Sequence, residues 1–184
     1  MYMPKLSTSL IFLFLSFFSV TAQESVLKPE FHKSKREALR SKMPANSVAV
    51  LFANPVRNRA NDVDYVYHQD PNFYYLTGFK EPHAVLVLYK NSQIDEQGSY
   101  TEQLYVQERD PFKEQWNGYR LGLEGASKLG IDRVLLRSDF IENQSNFTAF
   151  EEVLIFDFQN DVRDNKNDPY DLYDLQRTFI FYVN

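Results

Sequence analysis

The chain has 184 residues, enough for one domain with a real core, and its 20 Lys and Arg against 25 Asp and Glu leave a formal net charge of −5. An aromatic content of 16% with 6 Gly and 8 Pro excludes fibrous and disordered classes, and the lack of a basic stripe excludes nucleic acid as an expected partner. There is no cysteine, which removes disulfides, thiolate zinc sites and a cysteine nucleophile together.

At the N-terminus Lys5 gives a positive start, and residues 10–20 form an apolar run too short to span a bilayer. Val20-Thr21-Ala22 then offers a small-residue cleavage site before polar Gln23. Residues 1–22 therefore read as a signal peptide, and the protein as exported to a periplasm or the exterior. Its removal takes away one lysine and no acid, moving the net charge from −5 to −6. No later segment is long and apolar enough to cross a membrane, so no membrane partner is expected.

Residues 29–43 predict an amphipathic helix ended by Pro44. Residues 48–53 and 84–89 are continuous apolar runs of the kind found in strands covered on both faces. Residues 103–107 alternate like a half-exposed strand, and 91–101 read as a polar hairpin loop between the last two. Further on come a short helix over 123–129 stopped by Gly130, a strand over 131–136, a helix capped by Asp139 and running towards Phe150, and a buried-type strand over 152–157. Strands alternating with helices predict an α/β fold, a mixed β-sheet flanked by helices. Residues 159–174 are acidic and Asn-rich, a loop or linker, and 175–184 begin an apolar element that either docks back on the core or opens a following unit. The expected division is 1–22 signal peptide, 23–158 domain, and 159–184 linker and start of a following element.

Asp62, Asp64, His68, Asp70, Glu81 and His83 lie within two dozen positions, interleaved with aromatics. They could supply a metal site, an acid–base pair, or the polar edges of an aromatic core. The chain carries no HExxH, EF-hand or HxH pattern to favour a metal, no G-x-S-x-G, and no glycine-rich phosphate cradle. Trp116, the single tryptophan, sits in a polar, Gly-punctuated stretch rather than in an apolar period. Presented on a loop, it suits a ligand or subunit contact, with packing on its own domain as the alternative. The sequons Asn143-Gln-Ser145 and Asn146-Phe-Thr148 carry no argument without a glycosylating host.

Lys35-Arg-Glu-Ala-Leu39, Asn46-Ser-Val-Ala-Val-Leu-Phe-Ala53, Asp64-Tyr-Val-Tyr-His-Gln-Asp70, Asn72-Phe-Tyr-Tyr-Leu-Thr-Gly-Phe79, Glu81-Pro82 and Trp116-x-Gly-x-Arg120-x-Gly122 occur in that order. Together they resemble the N-terminal domain of aminopeptidase P, the Xaa-Pro aminopeptidase branch of the creatinase–prolidase family. The resemblance implies a ribonuclease H-like mixed sheet and an enzyme that cuts before a proline in the second position. It also implies two metal ions, usually manganese, held by two Asp, one His and two Glu of a following pita-bread catalytic domain. Those ligands are assigned to no residue of this sequence, so neither a catalytic residue nor a cofactor is expected in it. What carries over is Trp116, which in relatives can approach a neighbouring subunit's active site, and the pair Arg59 and Asp62, near the catalytic-domain interface. Relatives often place arginine where this chain has His68, which is given no role. The expected partners are the catalytic domain, further copies in a homo-oligomer and peptides with proline second. The rival expectation is a stand-alone, non-catalytic binding or interaction module.

Overall fold

The computed structural model describes residues 27–143, 146–158 and 161–183. The signal-peptide segment and Gln144 and Ser145 of the first sequon lie outside the described residues. Helix α1 (Pro29–Lys42) starts on proline, carries Glu30 in its first turn and Arg40 and Lys42 in its last, and gives way to extended backbone at Met43 before Pro44. Strand β1 (Ser47–Phe52) follows, then the hairpin β2 (Asn58–Ala60) and β3 (Val63–Asp64), helix α2 (Pro71–Thr77), and strands β4 (Val85–Asp95) and β5 (Gly98–Val106). Helices α3 (Pro111–Asn117) and α4 (Gly122–Ser127), strand β6 (Arg133–Leu136), helix α5 (Arg137–Glu142), a 3₁₀ turn (Phe147–Ala149), strand β7 (Glu152–Ile155) and helix α6 (Leu172–Val183) complete the chain.

Five strands form one sheet in the order β6-β5-β4-β1-β7. β1 pairs antiparallel with β4 and parallel with β7, while β5 pairs antiparallel with β4 and parallel with β6. Central β4 therefore runs against the other four, the mixed sheet that the element order predicts. Alternation divides each apolar run between two cores. Ala49, Leu51, Leu86, Leu88, Leu104 and Val106 meet Met43, Phe73, Leu76, Phe79 and Ala126 on one face. Val48, Val50, Val85, Val87 and Tyr105 meet Phe140, Phe147, Leu175 and Phe179 on the other.

Several elements depart from the expectations. Residues 91–101 are mostly strand, with Gln93, Ile94 and Asp95 registered against Tyr100, Ser99 and Gly98. The backbone pairing there needs no apolar face, so polar side chains hid it. Residues 103–107 are buried on both faces rather than half-exposed, because Gln103 and Gln107 find partners in Tyr89 and the Pro82 carbonyl. β7 is an edge strand, with Ile155 and the following Phe156 exposed. α5 begins at Arg137 and ends at Glu142; Asp139 sits in its first turn, where its carboxylate accepts from the Leu136 N–H. α6 lies in the stretch expected as linker and following element, and it packs Leu175 and Phe179 into the second core, the first of the two alternatives for residues 175–184.

Two buried ties fix α1. Arg36 is fully buried and donates through Nε and Nη2 to the two carboxylate oxygens of buried Glu102, at 2.9 and 2.8 Å. Its remaining donors reach the carbonyls of Leu76 and Gly130, so one guanidinium links α1, α2, β5 and the turn before β6. His32, also buried, contacts the Tyr75 carbonyl through Nδ1 at 2.9 Å. Its ring lies where a Cβ on Gly78 would fall, 2.9 Å from Cδ2. Gly78 ends α2 at φ 72°, so both backbone and space require glycine in the Tyr-Leu-Thr-Gly-Phe block.

Candidate functional site

The strands β1, β5 and β6 end at one side of the sheet, and β4 begins there. Four loop segments rise around these ends and enclose an open groove of about 970 Å³. The position follows the general rule that α/β sheets bind ligands beyond the carboxyl ends of their strands.

The first wall is the 54–67 segment. Asn61 takes a left-handed turn at φ 51° between β2 and β3, and Asn58 Nδ2 donates to the Asn61 and Val63 carbonyls and to Asp64 Oδ1. Asp62 stands in that turn, exposed, on the groove lining. Gln69 anchors the segment below: its Oε1 accepts from the Asn54 N–H and the Tyr67 hydroxyl, and its Nε2 donates to the Glu81 carbonyl, each at 2.9 Å. Burial, then the charge of Asp70, keeps the Tyr67 hydroxyl protonated well above its usual range. Asp70 is not a ligand candidate, since its carboxylate caps α2 through the Asn72 and Phe73 N–H groups.

The second wall carries Trp116. Asp110 caps α3 by accepting from the Phe112 and Lys113 N–H groups, and Trp116 stands on this short helix rather than on a loop. It is 82% exposed. Behind it, Glu81 Oε1 accepts from the Leu121 N–H at 2.7 Å, fixing the end of the Trp-x-Gly-x-Arg stretch to the domain. Burial raises the Glu81 pKa, opposed by that hydrogen bond, and its Oε2 is buried without a hydrogen-bond partner.

The third and fourth walls meet at His83. It sits at φ 55°, unusual for a non-glycine residue, and its Nδ1 accepts from the Leu172 N–H at 2.8 Å, holding the first turn of α6. Burial, and next the positive charge of Arg137, push His83 down to about 4, so at neutral pH it is uncharged with its proton on Nε2. Arg137 donates through Nη2 to Asp168 at 2.6 Å.

The structure thus brings Asp62 and Trp116, from separate segments, to the lining of one groove. Arg59, on β2, is exposed and does not line it. Its neighbour Arg57 pairs with Asp161 at 2.5 Å, tying the hairpin to the loop before α6. His83, one of the clustered Asp and His residues of the sequence, lines the groove with no role assigned to it beforehand, and Arg137 is a lining residue that sequence reasoning did not select. Their partners Leu172 and Asp168 are distant in the chain, so no local pattern signals them. Among the described residues, no three His, Asp or Glu side chains gather where they could hold a metal.

The profile of the aminopeptidase P N-terminal domain family matches residues 32–153. Xaa-Pro aminopeptidase 3 of Dictyostelium discoideum is 45% identical over 107 residues, which are 58% of this chain and 20% of that protein. The Xaa-Pro aminopeptidase of Escherichia coli is 41% identical over 115 residues, 62% of this chain and 25% of the relative. Aminopeptidase P from E. coli with the inhibitor Pro-Leu superposes with a TM-score of 0.62 at 35% identity, covering 71% of this chain and 29% of that one. Proline aminopeptidase P II from Yersinia pestis gives a TM-score of 0.60 at 36% identity, covering 73% and 30%. This chain spans only 20% to 30% of the length of these four proteins. By sequence and by fold it belongs to the aminopeptidase P N-terminal domain family.

Proposed function

We propose that this is the N-terminal domain of an exported Xaa-Pro aminopeptidase, in which it shapes the substrate cleft and supports oligomers. The observation that carries the reading is the meeting of Asp62 and Trp116, far apart in sequence, on one groove. An exposed indole flanked by exposed Phe112 and Tyr119 suits contact with a neighbouring subunit or with a peptide held at the cleft. Export is supported by the three-part pattern of residues 1–22. Two manganese ions belong to the proposal through the resemblance. That no three His, Asp or Glu side chains gather among the described residues supports placing the ions and the bond-breaking step in a catalytic domain.

A stand-alone binding module is the second reading. It is favoured by the closure of both cores with helices of this chain alone, α6 included. Cleavage of an Xaa-Pro peptide in the presence of manganese separates the two. An enzyme carrying this domain ahead of a catalytic domain is expected to cleave and to lose activity with chelator, and the 184-residue chain alone is expected to be inactive. Chelator-sensitive cleavage by the chain alone would overturn the assignment of the metal to another domain. A joined enzyme as active without this domain as with it would favour the module.

A further inference from the structure

Helix α3, which presents Trp116, has only seven residues and buries none of them. A helix this short is not stable on its own, and packing is what usually holds one in place. Something else must therefore set where the indole points. Arg109, just before the helix, meets the segment at three points and yet does not line the groove. Its Nε and Nη2 donate as a fork to the two carboxylate oxygens of Glu114, at 3.0 and 2.9 Å. The same guanidinium lies over the Tyr119 ring, 4.4 Å from its centre. Its aliphatic stem fills the space beside Gly122, where a Cβ would fall 2.6 Å from Arg109 Cγ, and Gly122 sits at φ 57°. One side chain thus joins the middle of α3, the residue beyond Gly118 and the first residue of α4.

We propose that Arg109 is the positioning residue for Trp116, holding α3 against the 119–122 turn so that the indole keeps one orientation at the groove. Arginine is required because the contact combines a two-point fork with planar stacking, and lysine can supply neither. Gly122 is required because any side chain there displaces the arginine stem. The value of a fixed Trp116 rests on the function proposed above, but the positioning itself does not.

Trp116 is the only tryptophan in the 184 residues, so its fluorescence reports this segment alone. Time-resolved anisotropy of the full chain is the test. Arg109→Ala is expected to enlarge the fast local component and lower the slowly tumbling fraction, with far-UV circular dichroism unchanged. Arg109→Lys should resemble Arg109→Ala, and Glu114→Gln should fall between it and wild type. Gly122→Ala should also loosen the indole, with little added effect once Arg109 is alanine, because the clashing stem is then gone. Unchanged decay in Arg109→Ala, or full rescue by lysine, would overturn the proposal. If the decay changes but an Arg109→Ala enzyme keeps its kinetics and its mass in solution, the positioning stands and the role of Trp116 falls.

Discussion

The brace around Arg36 and the groove around His83 use the same residue types to opposite ends. At the brace every polar atom of the Arg36 guanidinium and the Glu102 carboxylate has a partner inside the protein. At the groove end Glu81 Oε2 and Arg137 Nη1 are buried without a hydrogen-bond partner, and a tryptophan stands in solvent. The brace is buried and tied from several elements, although the Nε of Arg40 beside it also lacks a partner, whereas the groove end sets its polar groups beside an exposed aromatic. Stability and function are accordingly expected to separate cleanly between the two regions.

The largest effect should come from the brace. Arg36→Ala leaves the Glu102 carboxylate buried with only Arg40 beside it, and removal of one partner from such a pair costs roughly 3–5 kcal/mol. Urea unfolding reads this directly, and a loss below ~1 kcal/mol would show that the pair is solvated in solution. Gly78→Ala comes next. It imposes a side chain on left-handed backbone against the His32 ring and should cost about 1–3 kcal/mol by the same measurement.

The groove contributes a pH dependence. The folded value of His83, about 4, lies below the ordinary 6.5, so between them the unfolded chain binds the extra proton. The contribution of His83 is therefore fully present above pH 6.5 and is lost as pH falls towards 4, with a slope of at most about 1.4 kcal/mol per unit. His83→Asn tolerates the positive φ and does not titrate, and it should flatten that part of the stability curve. Equal slopes in the two proteins would remove His83 from the account. Trp116→Ala should be the smallest in stability, within about 0.5 kcal/mol of wild type, because the side chain is exposed.

How much of this the chain announces depends on the range of the cause. The runs at 48–53 and 84–89 are legible as strands because burial on both faces writes itself into consecutive apolar residues. Trp116 is legible for the opposite reason, as an aromatic outside any apolar period. Arg36 is not, since Lys35-Arg36-Glu37 in a charged helix looks like a solvated face, and its partner Glu102 comes from a strand. His83 stands out in the sequence but its contact does not, since its partner lies 89 residues away in α6. The pairing of 93–95 with 98–100 escapes because backbone hydrogen bonds leave no hydrophobic pattern. The Trp-x-Gly-x-Arg-x-Gly spacing is conspicuous, but only the fold shows Arg109 beneath it.

The most direct test of the central claim compares kcat/KM on an Xaa-Pro peptide, and mass in solution, for an enzyme carrying this domain with and without Trp116→Ala. The account predicts a loss of activity or of assembly at unchanged stability of the domain. Unchanged kinetics with an unchanged mass would contradict it.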